Sequence, residues 1–262
     1  MNLWQIHAGD SPLLIDVPHA GTYIPPDLAA RLTPVALAGP DTDWHVDKLC
    51  AFARAAGATL LTATHSRIVV DLNRDPSGAA LYPGADNTEL CPTRTFGNEP
   101  IYRESVPDAA EIAERRARYF DRYHAVLASE LERLRARHGH AVLLDGHSIR
   151  SEVPRFFAGR LPDLNLGTAD GESCAAELRA VAAGVLAGAA GCTHAIDGRF
   201  KGGYVTRHYG QPRRAVHALQ LEMAQRIYMD EAPPWPWDAR RAALLGDILA
   251  RLVAALSAWR PR

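Results

Sequence analysis

Short apolar runs alternate along this 262-residue chain with longer segments whose apolar residues recur at helical spacing. The runs predict strands at 13–17, 59–63, 67–72, 141–145 and 215–221. Strand-length runs separated by helix-length segments are typical of an α/β sheet that is covered by helices on both faces. In such sheets the polar residues at the strand ends tend to form the functional site, so the alternation also predicts where to look for chemistry.

The segments between these runs predict helices at 43–56, 108–138, 172–189 and 238–259, and a further short strand at 193–196. Residues 73–107 are irregular and rich in proline, glycine and asparagine. A loop of that length is uncommon in a compact domain unless it is functional or disordered. We therefore expect it to contribute to a site, with covering the substrate as one option.

Composition and charge exclude several classes of protein. The formal net charge of −1 argues against a general nucleic-acid binder, which needs a basic excess. The chain shows no signal peptide and no apolar run of transmembrane length, so we expect no membrane partner. Four dispersed cysteines fit neither a disulfide scaffold nor a zinc ribbon, and a reducing cytoplasm is the expected location.

Four predicted strands each lead into a side chain with chemistry. His19 follows the first, the pair Asn73 and Arg74 follows another, and His147 and Glu222 follow two more. Two imidazoles brought together with carboxylates suit a divalent metal that keeps an open coordination position. A guanidinium beside them suits a substrate carboxylate. The residues thus indicate an α/β enzyme, with metal dependence as a hypothesis.

Each of these residues also has a plain structural explanation. The chain has 11 histidines, so two at strand ends can arise by chance. An Asn-Arg-Asp sequence is usually a solvated turn, and Glu222 can face water. Asp43, His45 and Asp47 can form one charged helix face. Residue types and spacing alone leave these alternatives open.

Six motifs that occur in a fixed order indicate a protein family more specifically than any single motif does. They are VPHAGTYIP (17–25), DTDWHVDKL (41–49), SRIVVDLNRDPSG (66–78), LDGHSI (144–149), GRFKGGYVTRHYG (198–210) and ALQLEM (218–223). The set resembles the N-formylglutamate amidohydrolase family over about residues 12–230. Members of that family resemble zinc carboxypeptidases and aspartoacylase in their phosphorylase/hydrolase-like fold. The resemblance implies an α/β three-layer sandwich with a mixed central sheet, as a single amidohydrolase domain over residues 1–262.

The resemblance also implies roles for individual residues. His19 and His147 match two metal-binding histidines, Asn73 and Arg74 match the pair that holds a substrate carboxylate, and Glu222 matches the general base. The related pattern places a glutamate three residues after the first histidine, where this chain has Thr22. Asp43 is the expected substitute ligand, with Asp41, His45 and Asp47 as weaker candidates.

The implied reaction is the hydrolysis of N-formyl-L-glutamate to formate and L-glutamate in histidine degradation, with Zn²⁺ or another divalent metal. Glu222 accepts the proton of the attacking water and passes it to the leaving amine. A dicarboxylate substrate calls for a second cationic group, for which Arg67 and Arg207 are the leading candidates, ahead of Arg94 and Arg103.

Rival interpretations share this set of residues. They are a deacylase that removes acetyl or succinyl groups from an acidic amino acid, a peptidase, and a non-catalytic protein that binds acidic metabolites. A serine nucleophile at Ser148 is disfavoured because the sequence around it lacks the G-x-S-x-G pattern. The oligomeric state is left open by the sequence.

Overall fold

A mixed sheet of seven strands forms the middle layer of the computed structural model, which describes residues 2–81, 84 and 86–261. The strands are β1 (Trp4–His7), β2 (Leu13–Val17), β3 (Thr59–Ala63), β4 (Ala141–Ile149), β5 (Leu164–Gly167), β6 (His194–Ile196) and β7 (Val216–Ala224). Their order in the sheet is β1-β3-β2-β4-β7-β5-β6. The central strands β3, β2, β4 and β7 are parallel, while β1 and β5 run antiparallel to their neighbours β3 and β7.

The helices are α1 (Pro26–Ala29), α2 (Pro34–Ala38), α3 (Val46–Cys50), α4 (Ala109–Arg115), α5 (Asp121–His138), α6 (Ala176–Ala187), α7 (Tyr204–Tyr209) and α8 (Ala239–Ala258). A π-helical turn at Arg116–Phe120 joins α4 to α5, so the predicted helix at 108–138 is one continuous helical segment. None of the helices within the described residues combines the length and apolar character needed to span a membrane.

Two apolar cores lie on opposite faces of the sheet. Because successive side chains of a strand point to opposite faces, Leu13 and Ile15 of β2 belong to one core and Leu14 belongs to the other. The first core is closed by α3, α6 and α8, and the second by α5 together with the segments around 28–36 and 68–72. This arrangement confirms the predicted α/β three-layer sandwich with a mixed central sheet.

The predicted strand at 67–72 is wrong, because these residues form turns. The Val69 N–H donates to the Ser66 carbonyl, and the Asp71 N–H donates to the Leu90 carbonyl. The Ile-Val-Val run is nevertheless buried in the second core. A short buried β-branched run reads as a strand from its composition, although here its backbone hydrogen bonds go to nearby loops.

The two longest strands extend further than predicted. β4 continues to Ile149 and β7 to Ala224, so His147 and Glu222 lie within strands rather than just after them. The predicted helix at 43–56 begins only at Val46, because His45 adopts a left-handed backbone conformation with φ of 64°. The short elements β1, β5, α1, α2 and α7 were not predicted from the sequence.

His217 of β7 links the sheet to the start of α6. The backbone N–H of Ala175, which precedes α6, donates to His217 Nδ1 at 3.2 Å. Burial, together with His140, lowers the pKa of His217 to about 4. A ring that accepts this hydrogen bond is neutral, and a cation there would also face the positive end of the α6 dipole. The fold therefore requires the neutral form of His217.

We predict that His217 contributes to acid destabilisation. An unfolded histidine has a pKa near 6.5, so the unfolded chain binds more protons than the folded chain as the pH falls from about 6.5 to 4. The stability that His217 contributes is present above that range and is lost within it, by on the order of 2 kcal/mol. The measurement is the free energy of urea unfolding at pH 7 and pH 4.5, in wild type and in His217→Asn, which keeps an acceptor that does not titrate.

The drop between the two pH values should be smaller in His217→Asn than in the wild type. Burial also lowers the pKa of His124 to about 4. His124 therefore contributes part of the pH dependence of the unfolding free energy in both proteins. An equal drop in the two proteins would contradict the role assigned to His217.

Candidate active site

Three buried side chains converge at the carboxyl-terminal end of the central strands. His19 follows β2, Asp43 lies in the loop before α3, and His147 lies on β4. Their ligand-type atoms all lie within 4.8 Å of one another. Asp43 Oδ2 is 3.8 Å from His19 Nδ1 and 3.0 Å from His147 Nδ1. The fold thus brings together the three residues expected to bind a metal.

Each histidine of this trio is hydrogen-bonded through its Nε2 atom to a buried carboxylate. His19 Nε2 donates to Asp71 Oδ1 at 2.8 Å, and His147 Nε2 donates to Asp145 Oδ1 at 2.8 Å. A proton on Nε2 leaves the lone pair of Nδ1 directed toward Asp43. Carboxylates that bind the outer nitrogen in this way fix the tautomer and orientation of metal-binding histidines.

The charges of the trio suit a cation. Burial alone would raise the pKa of Asp43, but a hydrogen bond with His147 and the nearby His19 and Arg67 lower it. Burial alone would lower the pKa of His147, but the Asp145 and Asp43 carboxylates raise it well above its ordinary value. Asp43 is therefore ionised, and the carboxylates around His147 favour a positive charge, a proton or a metal cation, between His147 and Asp43.

Two buried atoms of the trio, His19 Nδ1 and Asp43 Oδ1, have no hydrogen-bond partner within the described residues. Buried polar atoms without partners are rare because they are costly. Two imidazole nitrogens and a carboxylate are typical donors for zinc and for other divalent metals with nitrogen and oxygen ligands. The residues present therefore fit a divalent cation.

The structure separates Asp43 from the alternative third ligands. Asp41 Oδ2 accepts the Phe96 N–H at 2.9 Å, and His45 Nε2 lies 2.9 Å from the Trp235 carbonyl oxygen. Asp47 is exposed on α3. Of the four candidates, Asp43 is the one that faces both histidines.

Glu222 lies beside the trio because of strand pairing. β4 and β7 pair in parallel with His147 directly opposite Glu222, and both side chains line the same cavity. Burial raises the pKa of Glu222 to about 8, and Gln220 Nε2 donates to its Oε2 at 3.3 Å. A carboxyl group with a pKa near neutral pH suits a side chain that both accepts and donates a proton.

Two of the expected arginines line this cavity. Arg67 Nη2 donates to Asp71 Oδ2 at 2.6 Å, and its Nη1 is 3.5 Å from Asp43 Oδ1. Arg74 donates from Nε to Thr88 Oγ1 at 2.8 Å and from Nη1 to the Asn73 carbonyl at 2.9 Å. Arg67 is thus held against the trio, while Arg74 is held at its edge, with its Nη1 3.9 Å from Asp71 Oδ2.

Asn73 lines the cavity, but its side chain is bonded to the protein. Its Oδ1 accepts the Val205 N–H at 2.8 Å, and its Nδ2 donates to Asp145 Oδ2 at 3.2 Å. A Cβ at Gly203 would lie 2.4 Å from the Asn73 amide. The Gly202-Gly203 pair therefore lets the backbone before α7 approach Asn73, rather than a ligand.

The remaining candidate arginines lie elsewhere. Arg207 is exposed on α7, where its Nε donates to the Gly202 carbonyl at 2.9 Å, and it does not line the cavity. Arg94 and Arg103 bond to Asn98 and to the Leu32 carbonyl, and they do not line it either. The structure does not bring these three residues to the trio.

Several cavity residues were not predicted from the sequence. The most prominent are Arg199, Phe156, Phe200 and Gln220. Arg199 and Phe200 belong to the GRFKGGYVTRHYG motif, but no predicted strand ends next to them. Part of the irregular segment 73–107 also contributes, through the lining residues Leu81, Asp86, Asn87 and Thr88. That segment therefore contributes to a site, as expected.

Comparisons with known proteins agree on one family. A family model described as N-formylglutamate amidohydrolase matches residues 11–229. A relative from Pseudomonas aeruginosa named N-formylglutamate deformylase is 48% identical over 252 residues, which cover 96% of this chain and 94% of the relative. A protein of the same name from Pseudomonas putida is 45% identical over 259 residues, which cover 97% of this chain and 96% of that protein.

Solved structures agree on the fold. The crystal structure of an N-formylglutamate amidohydrolase from Ralstonia eutropha superposes with a TM-score of 0.81 at 28% identity, covering 97% of each chain. A protein from Agrobacterium tumefaciens superposes with a TM-score of 0.75 at 18% identity, covering 98% of this chain and 96% of that one. The second likeness concerns the fold alone.

We predict that Asp43→Asn weakens the binding of zinc more than about 100-fold, because it removes a negatively charged ligand from the trio. Asp47→Asn is the matched control, since Asp47 is exposed four residues along the same chain segment. The measurement is metal content by elemental analysis after zinc loading and exchange into metal-free buffer. Wild-type metal content in Asp43→Asn, or loss in Asp47→Asn, would contradict the ligand set.

Proposed function

The chain belongs to the N-formylglutamate amidohydrolase family, and we propose that it hydrolyses N-formyl-L-glutamate to formate and L-glutamate. The observation that carries this proposal is the buried trio of His19, Asp43 and His147 beside Glu222, in a cavity lined by arginines. Relatives at 45–48% identity that carry the name N-formylglutamate deformylase support the same reaction. We also propose that residues 1–262 form a single amidohydrolase domain.

We propose that His19 Nδ1, His147 Nδ1 and Asp43 hold a divalent cation, with zinc as the first candidate. Such a cation, when bound, polarises the formyl carbonyl and acidifies water. The support comes from the partnerless His19 Nδ1 and Asp43 Oδ1 atoms and from the two carboxylates behind the histidines. Asp71 and Asp145 keep both imidazoles in the tautomer that a metal needs.

In the proposed reaction Glu222 moves the proton. Its carboxylate accepts a proton from the attacking water as the oxygen–carbon bond forms at the formyl group. It then donates that proton to the nitrogen as the carbon–nitrogen bond breaks, so that glutamate leaves as an amine. The same side chain acts first as a base and then as an acid, which its near-neutral pKa favours.

We assign two arginines to the negative charges of the reaction. Arg67, 3.5 Å from Asp43, stabilises the negative charge that develops on the formyl oxygen. Arg74 binds a substrate carboxylate through its guanidinium, and Asn73 positions it by accepting a hydrogen bond from Arg74 Nη1. Asn73 therefore acts on the substrate through Arg74 rather than by direct contact.

The cellular setting belongs to the same proposal. We place the reaction in histidine degradation, in the cytoplasm, with a small dicarboxylate as substrate. The four cysteines are unpaired, which suits a reducing compartment.

The proposed function is tested by formate release. Purified protein is expected to release formate from N-formyl-L-glutamate, to stop after treatment with a chelator, and to recover when zinc is restored. N-acetyl- and N-succinyl-L-glutamate, measured in parallel, test the rival deacylases. Turnover of either analogue above that of the formyl substrate, or no formate from zinc-loaded protein, would reject the deformylase.

We predict that Glu222→Gln lowers kcat by about 100- to 10,000-fold, because the amide cannot accept the proton of the attacking water. Its metal content should stay at the wild-type level, since Glu222 is not one of the trio. Glu152→Gln, at an exposed position, serves as the control for the same change of side chain. A kcat for Glu222→Gln close to that of the wild type would remove Glu222 as the base.

A further inference from the structure

We propose that Arg199 binds the side-chain carboxylate of the substrate and thereby determines the preference for an acidic amino acid. This inference rests on the proposed function and adds to it the recognition of the second carboxylate. It also replaces Arg207, which the sequence favoured and which lies outside the cavity.

Arg199 contacts the aromatic residues of the cavity wall. Its Nε donates to the Phe156 carbonyl at 2.7 Å, and its guanidinium carbon lies 5.5 Å from the centroid of the Phe200 ring. Arg199, Phe156 and Phe200 all line the cavity that contains the trio. The planar, permanently charged guanidinium is therefore held by a hydrogen bond from Nε and packs beside an aromatic ring. Both contacts lie in the cavity that contains the trio.

This wall lies further out than the trio. Phe156 and Phe200 pack against a small apolar cluster that includes Ile149, at the end of β4. Ile149 is two residues beyond His147 on the same strand, a distance of about 7 Å at the usual rise per residue. Arg199 is therefore mounted outward from the metal-binding side chains along the strand direction.

Arg74 is held close to the trio. Its Nη1 lies 2.9 Å from the Asn73 carbonyl oxygen and 3.9 Å from Asp71 Oδ2, the carboxylate that supports His19. Both arginines line one cavity, and we assign Arg74 to its inner part and Arg199 to its outer part.

The substrate has its two carboxylates at matching depths. The α-carboxylate is attached to the carbon that bears the scissile nitrogen, so it stays near the reacting bond and within reach of the inner Arg74. The side-chain carboxylate lies two methylene groups further out, which suits the outer Arg199. Phe156 and Phe200 offer apolar surface for those methylene groups.

Asp86, an acidic residue of the cavity wall, is paired with an arginine. Asp86 lines the cavity and binds Arg155 with two hydrogen bonds, at 2.8 and 2.9 Å. Such a bidentate pair satisfies the Asp86 carboxylate, so its charge is neutralised by Arg155. A substrate carboxylate in the same cavity therefore meets less repulsion from Asp86.

The test compares two substrates that differ only in the charge of the side chain, N-formyl-L-glutamate and its neutral isostere N-formyl-L-glutamine. In Arg199→Gln, kcat/KM for the glutamate substrate should fall about 10- to 100-fold, the loss typical of a hydrogen bond between charged groups. For the glutamine substrate kcat/KM should change by less than about threefold. Turnover of this second substrate also verifies that the variant is folded.

Two further variants sharpen the assignment. Arg74→Gln should lower kcat/KM for both substrates alike, because both carry the α-carboxylate. Arg160→Gln removes the same charge from an exposed position outside the cavity and should leave both values unchanged. It therefore controls for long-range electrostatic attraction of the substrate.

The outcomes separate the two proposals. If the wild type prefers the glutamate substrate and Arg199→Gln keeps that preference, the assignment of Arg199 is overturned while the proposed function stands. Equal losses on both substrates in Arg199→Gln also overturn it. A zinc-loaded wild type that releases no formate from either substrate overturns the proposed function, and the assignment with it.

Discussion

The burial of charge at the carboxyl ends of β2 and β4 is the constraint on which the rest of the site depends. An ionised group taken out of water costs several kcal/mol unless an opposite charge and hydrogen bonds compensate it. Asp71 meets this requirement through Arg67 and His19, which hold its pKa well below the usual range although it is fully buried. Within the trio, His19 Nδ1 and Asp43 Oδ1 have no hydrogen-bond partner among the described residues, and these are the atoms that the proposed divalent cation would bind.

A single strand register then sets most of the chemistry. β4 and β7 pair so that Asp145 lies opposite Gln220 and His147 lies opposite Glu222. Because alternate residues of a strand share a face, each functional side chain has its supporting side chain two residues earlier on the same strand. A slip of one residue would turn all of these groups to the other face of the sheet, so the long apolar pairing of these strands protects the site.

The sequence predicts the sheet better than it predicts the site, for a physical reason. Runs such as 141–145 are apolar enough to be buried on both faces, and the structure has a strand there. The run at 67–72 has the same composition but forms turns, since burial alone does not decide which backbone groups pair. Similarly, a motif can suggest that an aspartate replaces a missing ligand, but only the left-handed turn at His45 and the loop before it show which aspartate faces the histidines. The role of Arg199 is harder to predict from the sequence than that of Asp43. Its position in the cavity depends on contacts with Phe156, which is 43 residues away in the sequence.

The three cavity arginines differ in how they are held, and this difference bears on specificity. Arg67 is bound to Asp71 and lies near Asp43, so it is compensated whether or not substrate is present. Arg74 and Arg199 donate to hydroxyl and carbonyl oxygens among their described contacts, and Arg74 also lies 3.9 Å from Asp71 Oδ2. A neutral analogue would lack the carboxylate that we propose each of these arginines binds, and a site built to bind such a group discriminates more strongly than an apolar pocket does. In the proposed complex, selectivity for a dicarboxylate would rest on the same principle as the proposed metal site, namely the pairing of opposite charges within one cavity.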